Sequence, residues 1–249
     1  MSGTLPEWLH DMPLLKLDLS HNNINGSIPK LPLTLNRVDL SHNYILGPVP
    51  QNIGDMVPTL EFLSLADSLI NDLIPNSLRK IVTLTILDLS KNMLFGNLPQ
   101  CWGDSREIPP LWVMKFSSNK LSGIIPSSIG HLSELGWLHV NNNSLYGELP
   151  LGLRNCTSLI VLDLGENGFS RNIPGWIEGL ESLRILRLHM NMFNGKIPSQ
   201  LCQLLVLRII DLANNNLERT IPRCFGNLTG MVLDESSRAE FRQNGRLTA

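Results

Sequence analysis

The 249-residue chain has few charges and no cluster of positive ones. Charged residues make up 17% of it, the formal net charge is -2 and the isoelectric point is about 6.3. No run of Lys or Arg occurs that could hold phosphate groups, so nucleic acid is not an expected partner. With 43% hydrophobic residues, the composition predicts a folded protein with a sizeable core.

Long hydrophobic stretches are also missing. No apolar run approaches the roughly 20 residues that span a bilayer. The first thirty residues lack the apolar run of a secretory signal, because Pro6, Asp11, Pro13 and Lys16 interrupt them. We therefore expect the chain as written to carry neither an export signal nor a membrane anchor.

Motifs for catalysis are missing too. There is no Gly-x-Ser-x-Gly elbow, His-Glu-x-x-His pair, phosphate-binding loop or protein-kinase motif. The carboxylates are scattered, and an acid/base pair needs burial or close neighbours to shift its pKa. We expect a protein that is not an enzyme and that uses no cofactor.

The chain does contain a repeat. Nine segments follow the pattern Leu-x-Leu-x-x-Asn and then x-Leu-x-Gly-x-Ile-Pro. From Ser68 onward the segments are 24 residues apart at five of six steps and 27 apart at the step from Asn92 to Asn119, where residues 103–110 lengthen a loop. The Asn position is held by Asn22, Asn43, Ser68, Asn92, Asn119, Asn143, Asn167, Asn191 and Asn215.

Each repeat predicts one short strand. In Leu186-Arg187-Leu188 the alternation places the leucines inward and Arg187 outward. A single repeat cannot bury its leucines, but a parallel stack with about 4.8 Å between strands buries all of them in one core.

The Asn after each strand is predicted to bond the backbone of adjacent turns and so to form a ladder along the stack. Ser68 supplies only part of that bonding, which predicts a weak third repeat. A glycine follows in six repeats, where positive φ or close backbone approach is expected. Other residues replace it in three: Asp72, Arg171 and Arg219.

These residues resemble the plant extracellular class of leucine-rich repeat over about residues 2–229. Two segments resemble the receptor-like proteins within that class: Leu98-Pro99-Gln100-Cys101-Trp102 and the stretch from Ile221 to Thr229. The resemblance implies an α/β repeat fold, a leucine-rich-repeat solenoid that forms a right-handed superhelical arc with a parallel sheet on its concave face.

The expected domain organisation follows from the repeat. Residues 1–229 form the solenoid, with a partial repeat at 1–13 and nine repeats at about 14–229, and residues 230–249 form a polar non-repeat tail, either disordered or the edge of an island segment. The run Gly3-Thr4-Leu5-Pro6 lies 23 residues before Gly26-Ser27-Ile28-Pro29. The chain is therefore expected to be a fragment of a longer array.

The resemblance implies a function in recognition. We expect a ligand-binding ectodomain segment of a plant receptor-like protein in defence or development, at the extracellular side of the plasma membrane, which signals through a co-receptor kinase. Its ligand would be a peptide, a glycan or a protein on the concave face. Two alternatives stay open: a secreted inhibitor of a cell-wall-degrading enzyme, and a truncated gene product without a function of its own.

The outward position between the strand leucines is usually Asp, which suggests a structural or solvation role, but Lys115, His139 and Arg187 depart from it. Nearby outward positions add aromatic, amide and further basic residues, the types that anchor ligands. The resulting candidate patch is Trp112, Lys115, Trp137, His139, Asn141, Arg184, Arg187, His189 and the neighbouring Met190. The alternative is that these positions have drifted and that Trp112 and Trp137 pack at the strand edge.

Three other features bear on possible sites: a His/Asp column, the cysteines and the glycosylation sequons. His21, His42 and Asp67 share one column, but an ordinary solvated surface is favoured over a metal site. Of four cysteines, Cys202 and Cys224 are the one pair considered for a disulfide, whereas Cys101 and Cys156 are expected to be small buried hydrophobes. Four sequons predict glycosylation if the protein is secreted, at Asn25, Asn142, Asn155 and Asn227, of which the last two are expected in outer loops.

Overall fold

The computed structural model describes residues 1–100, 102, 108–218 and 220–228. Within these residues the chain forms a leucine-rich-repeat solenoid, as expected. Each of the nine repeats contributes one three-residue strand to a continuous parallel sheet on the concave face. These strands are β2 (Lys16–Asp18), β4 (Arg37–Asp39), β6 (Phe62–Ser64), β8 (Ile86–Asp88), β10 (Val113–Lys115), β12 (Trp137–His139), β14 (Val161–Asp163), β16 (Ile185–Arg187) and β18 (Ile209–Asp211).

A second set of short strands follows the Asn positions and forms the lateral side. It consists of β1 (Ser2–Thr4), β3 (Asn23–Gly26), β5 (Tyr44–Gly47), β7 (Leu69–Ile70), β9 (Phe95–Asn97), β11 (Lys120–Gly123), β13 (Ser144–Gly147), β15 (Gly168–Asn172), β17 (Met192–Lys196) and β19 (Asn216–Glu218). In the described residues these strands form two parallel sheets, one from β1 to β7 and one from β9 to β19.

Short helical turns close the repeats on the convex side. Most begin directly after the proline that ends the repeat pattern, because the fixed φ of proline suits the residue that precedes a helical turn. One is an α-helical turn, α1 (Ile53–Met56), and the others are 3-10 helices at Glu7–Asp11, Asn76–Lys80, Ser127–His131, Leu151–Asn155, Gly175–Gly179, Ser199–Gln203 and Arg223–Asn227. Trp102, in the lengthened fourth repeat, is buried on this side.

The core is one column of leucines and related residues that runs the length of the stack. The central residue of each concave strand from β4 to β16 is at most 1% exposed, as are Leu65, Leu89 and most of their equivalents one repeat along. Full burial of such a side chain contributes about 1.5–3 kcal/mol relative to exposure. Since each repeat covers its neighbour, the stability of the solenoid is shared between adjacent repeats.

The predicted asparagine ladder is confirmed, and Asn143 illustrates it. Its Nδ2 donates to the carbonyl of Phe116 in the preceding repeat at 2.9 Å and to that of Val140 in its own turn at 3.0 Å. Its Oδ1 accepts from the N–H of Leu121 at 2.9 Å. Asn43, Asn92, Asn119, Asn167, Asn191 and Asn215 make the same set of bonds.

The third repeat departs from this pattern in two places. The Ser68 hydroxyl is buried and makes no hydrogen bond within the part of the chain that the structure describes, although its backbone N–H donates to the carbonyl of Lys91. At Asp72, which replaces the glycine, φ is not positive, and the lateral sheet is interrupted here except for one bridge between Leu73 and Phe95. Within the described residues the third repeat, predicted to be weak, therefore has an unbonded hydroxyl at its ladder position and a break in the lateral sheet.

The expectation of positive φ at the glycine column is confirmed where glycine is present. At Gly123, φ is +82°, which strains any residue with a Cβ atom, and such an atom would lie 2.3 Å from Asn97 Oδ1 and require that side chain to move. Arg171 adopts φ of 70° without being glycine. Arg219 lies outside the described residues.

The cysteines divide as expected where they are described. A disulfide joins Cys202 and Cys224, with 5.8 Å between the Cα atoms, and so links two successive convex turns. Burial raises the pKa of the Cys156 thiol to about 12, and its Sγ lies 3.4 Å from the carbonyl of Ile129. Cys156 is therefore a buried, unreactive thiol, whereas Cys101 lies outside the described residues.

Replacing Ser68 by Asn should stabilise the protein by about 1–2 kcal/mol, because two or more hydrogen bonds of the ladder would be restored at about 0.5–1.5 kcal/mol each. Urea denaturation followed by circular dichroism measures the change. The matched control is Asn92→Ser in the next repeat, which should lower the free energy of unfolding. A Ser68→Asn variant no more stable than the parent would contradict the weak-repeat prediction.

Candidate ligand-binding surface

The concave strands bring the predicted patch together because they pair in exact sequence register. Lys115 is the Cα partner of His139, His139 of Asp163, Asp163 of Arg187 and Arg187 of Asp211. These side chains therefore form one column across repeats 5 to 9. Trp137 stands on the same face of β12, on the other side of the buried Leu138.

Aspartate has a structural role in the ordinary repeats. Asp39 Oδ1 accepts from both the hydroxyl of Ser41 at 2.7 Å and its N–H at 3.2 Å, which fixes the turn after the strand. Asp88 and Ser90 make the same pair of bonds. At Asp18, the bonds from Ser20 hold the pKa of the carboxyl below its usual value. The carboxylates of these aspartates thus fix the backbone of the turn that follows each strand.

The basic residues of the patch pair with carboxylates of neighbouring repeats. Lys115 Nζ lies 3.6 Å from Asp88 Oδ2, and a guanidinium nitrogen of Arg187 lies 3.3 Å from Asp163 Oδ2. Asp163 is 4% exposed, so Arg187 is the partner that balances a buried charge. The surface is less cationic than the sequence predicted.

His189 has a carboxylate on each side of its ring. Its Nδ1 lies 3.3 Å from Asp211 Oδ2 and its Nε2 lies 3.6 Å from Glu166 Oε1. The contact at Nδ1 does not have the geometry of a hydrogen bond, so the two carboxylates flank the ring without a hydrogen bond at that atom. The ring lies over Gly165, where a Cβ atom would approach it to 2.3 Å.

Two tryptophans supply the apolar part of the surface. Trp112, 40% exposed, lies against Gly136, where a Cβ atom would be 2.8 Å from the indole. Trp137 is partly buried, with its ring 5.8 Å from that of His139. Trp112 thus packs against the neighbouring repeat while it stays partly exposed, and a role of the two tryptophans in ligand binding stays a prediction.

His139 lies at the centre of the patch with an unused hydrogen-bonding atom. Its Nε2 is buried and has no hydrogen-bond partner among the described residues. Burial lowers the pKa of His139, and Lys115 and Arg187 act in the same direction, against the opposing effect of Asp163 and Asp88. The neutral ring is thus favoured and offers one unsatisfied polar atom next to Trp137.

The remaining candidates occupy the border of the patch. Asn141 accepts a hydrogen bond from the Ser117 hydroxyl at 2.6 Å, which orients its amide within the protein. Arg184 precedes β16, and its backbone carbonyl accepts from the N–H of Arg208 at 2.8 Å. Met190 is 51% exposed.

One backbone feature of the turns in all nine repeats was not predicted. The residue immediately before each ladder position has φ between 52° and 55° in all nine repeats, whatever its type: His21, His42, Asp67, Lys91, Ser118, Asn142, Glu166, Met190 and Asn214. The left-handed conformation costs non-glycine residues about 1–2 kcal/mol. It occurs even before Ser68, whose hydroxyl makes no ladder bond among the described residues, so it belongs to the turn of every repeat, and the residue types at this position give no signal for it.

The column of His21, His42 and Asp67 does bring these side chains into contact. The two imidazole rings stack with centroids 4.0 Å apart, and His42 Nδ1 lies 2.9 Å from Asp67 Oδ2. Lys91 Nζ is 3.8 Å from the same carboxylate oxygen. The described residues contain no group of three or more His, Cys, Asp or Glu that could hold a metal ion.

The sequons differ in position. Asn25 is an exposed residue of β3, Asn142 is exposed on the border of the patch, and Asn155 is exposed at the end of a convex turn. The side chain of Asn227 lies outside the description, as do residues 103–107 and the tail from residue 229. Among the described residues no helix is long and apolar enough to cross a bilayer.

The family described as Leucine Rich Repeat matches residues 13–33, 34–56, 83–105, 110–132, 158–180, 182–204 and 206–228. The chain belongs to the leucine-rich-repeat family. A similar curated protein is "Cuscuta receptor 1" of Solanum lycopersicum, 33% identical over 148 residues, which is 59% of this chain and 11% of that protein. The chain thus spans a small part of a much longer plant relative.

Solved leucine-rich-repeat structures are similar over nearly the whole chain. The Arabidopsis receptor kinase HAESA, in complex with the peptide hormone IDA and the co-receptor SERK1, gives a TM-score of 0.86 at 31% identity, over 94% of this chain and 39% of that one. The plant peptide hormone receptor RGFR1, in complex with RGF2, gives 0.80 at 31% identity over 93% and 41%. A plant ice-binding protein gives 0.77 at 26% identity over 89% and 71%.

His139 makes the stability of the fold depend on pH. Because its pKa is lowered in the folded state, the unfolded chain binds more protons than the folded one below the ordinary value of 6.5, so stability should fall as the pH drops from about 7 towards 5. His139→Gln cannot take up this proton and should lose less stability over the same range, as measured by urea denaturation at both pH values. His131→Gln, at an exposed convex position, is the control that should behave like the parent. Equal pH dependence in parent and His139→Gln would contradict the assignment.

Proposed function

We propose that this chain is a ligand-binding segment of a plant receptor-like protein and that it binds a peptide or protein ligand on the concave surface of repeats 5 to 8. The patch consists of Trp112, Lys115, Trp137, His139, Asn141, Arg184, Arg187 and His189. Recognition occurs at the extracellular side of the plasma membrane, and a partner kinase carries the signal onward.

The observation that carries the proposal is the break in the concave pattern. In repeats 1, 2 and 4 this face has Asp-x-Ser turns whose side chains bond each other, whereas in repeat 6 it has a partly buried tryptophan beside an imidazole nitrogen without a partner among the described residues. Buried polar atoms are normally paired, so the free Nε2 of His139 favours a position that a ligand completes. Tryptophan is among the residues most enriched at binding hot spots.

The similar receptors support the same class of function. HAESA and RGFR1 were solved as complexes with peptide hormones, and the HAESA complex includes a co-receptor. A preformed solenoid face, held rigid by the ladder, binds such ligands at a low conformational cost. Function in this chain is therefore equilibrium binding, with no covalent chemistry.

The decisive substitution is Trp137→Ala. We expect it to weaken binding at least about tenfold, which corresponds to about 1.4 kcal/mol, because it removes an aromatic contact from the centre of the patch. Isothermal titration calorimetry against hits from a synthetic library of secreted plant peptides measures the effect. Arg187→Ala is a poorer test, since it would leave Asp163 buried without its partner and so affect folding.

The matched control for this experiment is Phe62→Ala. Phe62 precedes the central residue of β6, the position that Trp137 has in β12, and it packs against Arg37 with the guanidinium carbon 3.6 Å from the ring centroid. It lies two repeats from the nearest strand of the patch and three from Trp137, and it should leave peptide affinity unchanged. If both variants bind as the parent does, or both lose affinity equally, the patch is not the binding surface.

A further inference from the structure

The lateral face carries an exposed apolar cluster near one end of the solenoid. Tyr44 is 56% exposed, Leu46 is 48% exposed and Leu69 is 38% exposed. Leu46 and Leu69 are Cα partners in β5 and β7, so the three side chains form one surface, which we call the lateral patch. A contiguous exposed apolar surface often marks a site that another molecule or group covers.

A glycosylation sequon lies directly beside the lateral patch. Asn25 and Gly26 of the sequon Asn25-Gly26-Ser27 are in β3, Ser27 follows the strand, and Asn25 is the Cα partner of Tyr44 in β5. Both side chains are exposed, while Ile24 and Ile45 point into the core, so the amide and the phenol share the outward face of neighbouring strands. Parallel strands lie about 4.8 Å apart, which places the first sugar on Asn25 next to the Tyr44 ring.

We propose that Asn25 carries an N-linked glycan whose first sugars pack on Tyr44 and cover the lateral patch. The C–H face of a pyranose ring is weakly positive and apolar, and the face of an aromatic ring is negative, so the two stack favourably. The glycan is the occupant of this surface in the secreted protein. This inference concerns the opposite part of the chain from the ligand patch and does not depend on ligand binding.

The modification itself is a simple transfer. The side-chain nitrogen of Asn25 bonds to C1 of the first sugar as the C1–O bond to a lipid-pyrophosphate donor breaks. The amide loses one proton, the lipid pyrophosphate leaves, and nothing is oxidised or reduced. Ser27 is the hydroxyl residue that the sequon requires.

The structure also supplies a comparison site. Asn155-Cys156-Thr157 is a sequon with an exposed Asn at the end of the convex turn Leu151–Asn155, away from the lateral patch. A glycan there would add bulk and solubility without reaching Tyr44. Differences between the two sites therefore report on the contact with the aromatic ring.

The test uses the full chain secreted from plant cells behind an added signal sequence, in four forms: the parent, Ser27→Ala, Tyr44→Ala and the double variant. Ser27→Ala removes the sequon but keeps the Asn25 side chain. Peptide mapping after enzymatic release of glycans in oxygen-18 water should show Asn25 occupied in the parent and in Tyr44→Ala. Loss of the glycan should lower the melting temperature by about 2–4 °C in the parent and much less in the Tyr44→Ala background.

Two results would overturn the proposal: an unoccupied Asn25, or the same loss of melting temperature in both backgrounds. Thr157→Ala, which removes the Asn155 sequon, serves as the control and should add independently to Tyr44→Ala. Peptide binding by the Ser27→Ala variant should equal that of the parent, so failure of this proposal and failure of the ligand patch give different results.

Discussion

The structure depends above all on the buried asparagine that follows each concave strand. Its amide satisfies a carbonyl of the preceding repeat, an N–H of the same preceding repeat and the carbonyls of its own turn. Buried backbone polar groups left without partners are costly, and the asparagine amide supplies partners for several of those at the turn. One side chain per repeat therefore links each unit to the next and makes the stack regular.

The same ladder determines what the two faces can do. The residue before the ladder position has the left-handed conformation in every repeat, including the one with Ser68, and the strand positions point outward in a constant register. The asparagine makes its bonds both in the second repeat, where the outward Asp39 also fixes the turn, and in the sixth, where His139 takes that position, so the turn does not require one particular outward side chain. Those side chains are free to change between repeats, and in the middle of the chain they change from Asp-x-Ser turns to aromatic, imidazole and paired basic groups.

The fold could be predicted because its determinants repeat along the sequence. The 24-residue period and the alternation in segments such as Leu186-Arg187-Leu188 were enough to predict the strands, the concave column and the role of asparagine. The prediction that the third repeat makes fewer ladder hydrogen bonds followed from Ser68 alone. Cys202 and Cys224 could be named as the one candidate pair for a disulfide because they lie in successive repeats, and the structure joins them.

The charge balance of the patch could not be predicted in the same way. Lys115 and Arg187 were interpreted as basic groups available to a ligand, but the stack brings each within 3.6 Å of an aspartate one repeat away. Such pairs depend on rotamers and on the exact rise between repeats, which a sequence pattern does not record. The free Nε2 of His139 is also a property of its surroundings rather than of its place in the repeat.

These two classes of determinant explain why the fold alone does not define the function. Peptide-hormone receptors and an ice-binding protein share this solenoid with the chain at 26–31% identity, so the ladder and the leucines serve different ends. What differs between such proteins must lie in the outward positions that the ladder leaves free. In this chain Lys115 and Arg187 at those positions are paired with aspartates, so under the proposed function selectivity would depend on the tryptophans and His139 more than on the net charge of the face. A ligand suited to this surface would therefore offer an apolar group and a hydrogen-bonding group close together, and strong attraction by charge is not required.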